Sequence, residues 1–185
     1  MVTAQGTCAL ALMAHCGIKV DRERHDLAYE FLVRGSGPEA YVWYKDKARA
    51  NKDWADMGRT GSSGLANHLS PYKEKKYKKR ALAHAQIIGK HPQSFPDTHG
   101  SPIMGTGFTA LCANTDNKSF RKLMDNNKWW FILSQCHDGT FYYQPNRDNN
   151  PMHYKSSSRV SASGLVALVF AARNKNLYMT GASKK

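Results

Sequence analysis

The chain has 185 residues, of which 41% are apolar and 22% charged, a globular composition that excludes a purely disordered polymer. No run approaches the ~18 uninterrupted apolar residues of a membrane-spanning helix. The balance of 27 basic against 14 acidic side chains, a formal +13, leaves three anionic partner classes open: nucleic acid, a membrane surface, or an acidic polymer such as a polysaccharide.

Residues 3–16 read as a helix of small and apolar side chains, stopped by Gly17. The first fifteen residues have no basic start and no small-x-small cleavage site, so a secretory signal is not expected. Asp21 is an N-cap for a helix over 22–34, expected to bury Leu27, Phe31 and Leu32 and to show Arg22, Glu23, Arg24 and Glu30 to water. A polar and aromatic connector covers 35–58. Thr60–Leu69 is again small and apolar. Ser70 and Pro71 read as an N-cap and a proline at the first helical position, opening a helix over 71–88 with Tyr77, Ala81, His84 and Ile88 on one face and Gly89 at its end. The stretch Tyr72–Arg80 in it holds six basic residues in nine, and its plain reading is a solvated helix face.

A connector over 89–103 leads to a third small apolar helix, Met104–Asn114. Asn117 or Ser119 caps a helix over 118–135 whose apolar side holds Phe120, Leu123, Met124, Trp130, Phe131 and Leu133. A third connector, 136–159, precedes a fourth small apolar helix, Val160–Ala172. Cys8, Cys16 and Cys112 lie within the helical patterns, where a free cysteine is a small hydrophobe; Cys136 lies beyond one. No C-x-x-C pair occurs, so cysteine usage leaves the compartment open.

The order is therefore inner, outer, inner, outer, inner, outer, inner. Glycines opening the inner helices (Gly6, Gly61, Gly107, Gly164) stand 55, 46 and 57 residues apart, the mark of a repeat of paired helices. Parallel inner helices would place every long connector at one rim, beside helix N-termini with free N–H groups. Gly61, Gly64, Gly105, Gly107 and Gly164 are expected to let these helices pack closely.

Gly58–Gly61, His99–Gly107 and especially Trp129–Gln144, with its glutamine, Asp-Gly and aromatic punctuation, resemble the α/α-toroid of terpenoid cyclases and protein prenyltransferases. The whole chain more closely resembles a bacterial domain family of uncharacterised function that shares this toroid and often accompanies a PDZ domain. The resemblance implies an all-α fold, a partial α/α-toroid of about three and a half helical hairpins with long aromatic connectors on one rim, and an envelope association. It covers nearly the full length: one domain over 1–181, with 182–185 as a disordered tail. The absence of a signal in this chain points instead to the cytoplasm. The cyclase Asp-x-Asp-Asp acid is absent. Asp97-Thr98-His99 stands where a prenyltransferase has a zinc-binding Asp-x-Cys. Cys136-His137 has the adjacency of a lanthionine cyclase pair but ends an outer helix instead of opening an inner one. A full ring takes about six hairpins, so the chain is expected to be a fragment or to be completed by a partner, itself or a further segment.

No cofactor is expected. Zinc at Cys136, His137 and Asp138 is disfavoured because adjacent side chains rarely converge on one ion, and Asp138-Gly139 suits a turn. Asp97 and His99, with Tyr142, form the candidate acid–base site. Tyr41, Trp43, Phe141 and Tyr143, with Tyr44, Trp54 and Tyr142 beside them, could stack on sugars, and Arg59, Arg147 and Asp148 would suit an acidic glycan; the competing reading has these rings plug the mouth of the fold. His15 and His84 are expected to be satisfied core histidines. The missing catalytic motifs favour a non-catalytic ligand-binding or interaction domain. The alternatives are a glycan-active lyase or hydrolase and, last, a basic nucleic-acid-binding helical domain. The residues do not decide whether the chain is an enzyme.

Overall fold

Side-chain size sorts the helices into two kinds. The computed structural model describes residues 2–43, 57–95, 102–142 and 158–182. The chain is helical, with α1 at Val2–His15, α2 at Arg22–Arg34, α3 at Gly58–His68, α4 at Lys75–Lys90, α5 at Pro102–Ala113, α6 at Asn117–Asn126, α7 at Lys128–Ser134 and α8 at Ser158–Ala171. Among the described residues there is no strand, only two isolated antiparallel bridges, Ser36 with Val42 and Gln135 with Phe141. No helix there is long and apolar enough to cross a membrane.

The small-residue helices form a row in which α1 packs on α3, α3 on α5 and α5 on α8. The charged helices pair with them as α1 with α2, α3 with α4 and α5 with α6, and α4 also packs on α6. Helix α3 is buried from Gly58 to Asn67 on all sides. Only small side chains permit this: a Cβ on Gly61 would lie 2.5 Å from the Thr109 backbone nitrogen, and one on Gly64 would lie 2.1 Å from Cys112 Sγ. Gly107 gives the same closeness to Leu165 on α8. Gly105 is buried. Gly164, expected to be such a packing glycine, meets nothing within 4 Å, and neither does Gly6.

Two apolar clusters follow. Ala4, Cys8 and Ala11 of α1, Tyr29 and Leu32 of α2, Leu65 of α3 and Tyr77 of α4 make one. Tyr41, Ile88, Phe95, Leu123, Trp130 and Val166 belong to the other. Cys8 and Cys112 are buried as expected, whereas Cys16 is exposed beyond the end of α1; all four cysteines are free. Burial pushes the Cys8 thiol up to about 12, so it stays neutral and donates to the Ser62 carbonyl at 3.3 Å.

Gly17 does stop α1, at φ +82°, and Asp21 caps α2, accepting from the Arg24 amide at 3.0 Å. Other expectations change. Leu27 is 56% exposed, because the buried stripe of α2 runs through His25, Tyr29 and Leu32. Helix α4 starts at Lys75, with Glu74 at the N-cap position and no side-chain capping bond, not at Pro71, and Gly89 lies inside it, where a Cβ would lie 2.5 Å from Ser119 Oγ. Asp116, not Asn117 or Ser119, caps α6, accepting from the Ser119 amide at 3.0 Å. The expected single helix over 118–135 breaks at Asn127, whose Nδ2 donates to the carbonyls of Leu123 (2.8 Å) and Pro92 (2.7 Å). The break rotates Leu133 outward to 65% exposure while Trp130 and Phe131 stay buried.

Candidate functional site

After α2 and again after α7 the backbone makes the same short hairpin. In the first, the Gly37 amide donates to the Tyr41 carbonyl at 3.0 Å and the Trp43 amide to the Gly35 carbonyl at 2.8 Å. In the second, 99 residues on, Cys136 donates to Thr140 at 2.7 Å and Tyr142 to Ser134 at 2.6 Å. The left-handed turn position is Ala40 (φ 63°) in the first and Gly139 (φ 80°) in the second. A hydroxyl of the next inner helix holds each hairpin: Thr60 Oγ1 accepts from the Val42 amide at 3.0 Å, and Ser163 Oγ from the Phe141 amide at 2.9 Å. An arginine holds each as well. Arg59 Nε donates to the Val42 carbonyl at 3.2 Å, and Arg159 reaches Asp138 Oδ2 and Thr140 Oγ1, both at 2.6 Å.

The first hairpin has an additional latch in His84 of α4. Its Nδ1 lies 2.6 Å from the Ala40 carbonyl oxygen and its Nε2 lies 3.2 Å from Ser63 Oγ. A carbonyl only accepts, so Nδ1 carries the proton and Nε2 accepts from the serine hydroxyl. Burial lowers the His84 pKa to about 4, against the raising effect of the Ala40 bond, and the nearby Arg80 charge lowers it further. The pair has the layout of a nucleophile and its base. Protonating this imidazole is costly, however, and among the described residues no carboxylate raises its basicity. A structural latch fits this electrostatics better than a base.

Beside the latch, between the hairpin, α3 and α4, is a pocket of about 180 Å³. Leu32, Val33, Pro38 and Ala83 supply its apolar lining. Ser63, Asn67, Arg80 and His84 supply polar lining. Asn67 is 2% exposed. Its Nδ2 donates to the Ser63 carbonyl at 2.9 Å, while its Oδ1 has no hydrogen-bond partner. Val33 and Pro38 are exposed at the edge.

The sequence-derived site residues fall elsewhere. Tyr41 is buried, its ring edge-on to Trp43 at 5.1 Å, and Arg59 is buried. Trp43 and Phe141 are half-buried. Tyr142 is exposed. Asp97, His99, Tyr143, Arg147 and Asp148, with Tyr44 and Trp54, lie outside the described residues. Asp138 makes the turn expected of it: hydrogen bonds from the Thr140 side chain and amide, with Arg159, hold its carboxyl down at about 2. His137 is exposed, and no group of three metal-ligating side chains occurs among the described residues. His15 is half-buried with Nε2 2.8 Å from the Leu69 carbonyl oxygen. The two tyrosines of the basic stretch are engaged inside the molecule: Tyr77 is buried against Tyr29, and the Arg22 guanidinium covers the Tyr72 ring at 3.6 Å.

Sequence reasoning identified His84 as a core histidine but missed Ser63, Asn67 and Arg80 as pocket residues. Asn67 and Arg80 belong to different helices, and nothing in their spacing marks a shared cavity. The one available signal was Asn67 itself, a polar residue within a small apolar helix. No curated protein and no solved structure matches the chain. Its sequence does match a domain of unknown function from Met1 almost to the C-terminus, so that the chain, over residues 1–181, belongs to the DUF6288 family.

Proposed function

We propose that this chain is a non-catalytic ligand-binding domain built as part of an α/α-toroid, and that its ligand sits in the pocket between the first hairpin, α3 and α4. One observation carries the reading: Asn67, almost fully buried, is among the residues lining that pocket, and its buried carbonyl oxygen has no partner. A buried acceptor left without a donor costs about 1–3 kcal/mol, a cost that a bound N–H would remove. Support for the toroid arrangement comes from the row α1–α3–α5–α8 with α2, α4 and α6 paired to it, and from the recurring hairpin. On this reading further helices, from a second copy or from additional chain, cover the open faces at Gly6 and Gly164.

The test is a thermal-shift panel of acidic and neutral oligosaccharides, polyprenyl diphosphates, single-stranded DNA and small amide and carboxylate compounds, run on the chain and on Ala83→Phe, which fills the pocket. A compound at about 100 times its Kd stabilises the fold by roughly 2.7 kcal/mol, and the filled variant should lose that shift. A shift that survives Ala83→Phe would place the ligand elsewhere. A second reading, a glycan-active enzyme using Asp97, His99 and Tyr142, draws on the exposed Tyr142 ring at the end of the second hairpin. An oligosaccharide shift lost in Tyr142→Ala and retained in Ala83→Phe would favour it.

A further inference from the structure

Resting on the pocket reading above, we propose that its ligand carries a carboxylate and an N–H group on the same carbon, the chemistry shared by a free α-amino acid and the C-terminal residue of a peptide. Two residues that carry unmatched groups of opposite demand, Asn67 and Arg80, line one small cavity. Asn67 cannot turn its amide around, because Nδ2 is committed to the Ser63 carbonyl, so Oδ1 remains an acceptor that needs a donor. The neighbours cannot supply one. The Ser63 hydroxyl donates to His84, and the His84 Nδ1 proton is held by the Ala40 carbonyl.

Arg80 makes the opposite demand. It is half-buried, lines the same pocket, and has no ion-pair partner among the described residues. A guanidinium in this position favours a carboxylate, which it can hold through two parallel N–H bonds. A simple inorganic anion would satisfy Arg80 and leave Asn67 Oδ1 unpaired, and a simple ammonium would meet the Arg80 charge. A ligand with both functions satisfies both groups, and its carbon skeleton can lie on Leu32, Val33 and Pro38. The volume of about 180 Å³ is smaller than the ~300–1,000 Å³ of pockets for drug-sized ligands, so the occupant is small or is the end of a longer chain.

Four probes test this on the whole chain by protein-observed NMR titration: N-acetylglycine, its methylamide, N-acetylsarcosine and glycine. The methylamide lacks the carboxylate, and N-acetylsarcosine lacks the N–H. N-acetylglycine or glycine should shift resonances of α3 and α4 around Asn67 and Arg80. The methylamide should bind about tenfold or more weakly than N-acetylglycine, and N-acetylsarcosine about three- to tenfold more weakly. Arg80→Gln, at a half-exposed position that should fold normally, should erase the difference between acid and methylamide. A preference for N-acetylglycine identifies the peptide end as the source, and a preference for glycine the free amino acid. A methylamide that binds as tightly as the acid, or an Arg80→Gln variant that binds the acid unchanged, overturns the ligand class and leaves the pocket reading standing. If none of the probes disturbs the pocket resonances while a compound of the thermal-shift panel does, the ligand class again falls alone. If neither set disturbs them, the pocket reading falls with it.

Discussion

His84 joins three separate parts of the chain: α4 carries it, Ala40 in the hairpin accepts from it, and Ser63 on α3 donates to it. The bond from Ser63 needs the neutral imidazole, whereas the bond to Ala40 survives protonation and favours the charged form, so it is burial that keeps the ring neutral. The folded-state pKa is about 4, below the ordinary 6.5, so below pH 6.5 the unfolded chain binds more protons and stability falls as the pH falls. The contribution is fully present above about pH 6.5 and is lost by about pH 4, roughly 3 kcal/mol in all. Urea titrations across this range should show the slope, and His84→Gln should be less stable at pH 7 and flatter between pH 7 and 4. An unchanged slope in the variant would assign the acid sensitivity to His25, His68 and His91, which burial shifts in the same direction. The two hairpins provide a second residue-scale comparison. Ala40 occupies a left-handed conformation that costs an L-residue about 1–2 kcal/mol, and the second hairpin has Gly139 there. Ala40→Gly should stabilise the fold by up to about 1 kcal/mol, and Gly139→Ala, with open space around its Cα, should destabilise by about 1 kcal/mol. Denaturant midpoints of the two variants check both signs.

Among the elements, α3 is decided by what it lacks. Its glycines admit α4 and α5 at distances that a methyl group would block. Gly64→Ala forces a Cβ into Cys112 Sγ and against His84 Cβ, and should cost about 1–3 kcal/mol or more in thermal unfolding. Adding Cys112→Ala should restore part of this, because the closest clash is with that sulfur. Gly164→Ala on α8 is the contrasting case. Nothing lies within 4 Å of it, so the better helix former should stabilise by up to about 1 kcal/mol in the isolated chain. A loss there instead would mean that α8 is covered in solution. The alternation of small apolar and charged amphipathic stretches was legible in the sequence and gave the helices their order. The break at Asn127 was not, because it depends on a bond to the Pro92 carbonyl, 35 residues away.

At the scale of the molecule, the inner row ends in open faces. Val160 is 78% exposed on α8 and Val2 83% on α1, each on a helix whose glycine meets no neighbour. Ile132, Leu133 and Phe170 add apolar surface near the α8 end. Apolar patches of this kind favour association. Sedimentation velocity over a wide concentration range should show a mass above that of the monomer, and Val160→Glu with Ala167→Glu should return it to the monomer. A monomer at every concentration would mean that these faces await other chain.

The helical class, the alternation of two helix types, the repeat and the buried state of His84 could all be read along the chain, because hydrophobic periodicity and residue size act locally. The sequence could not determine the hairpin latch or the pocket. His84 meets Ala40 across 44 residues, and Asn67 and Arg80 share a cavity only because α3 and α4 pack side by side. Those meetings are set by how closely the backbones approach, and that distance exists only in the folded molecule.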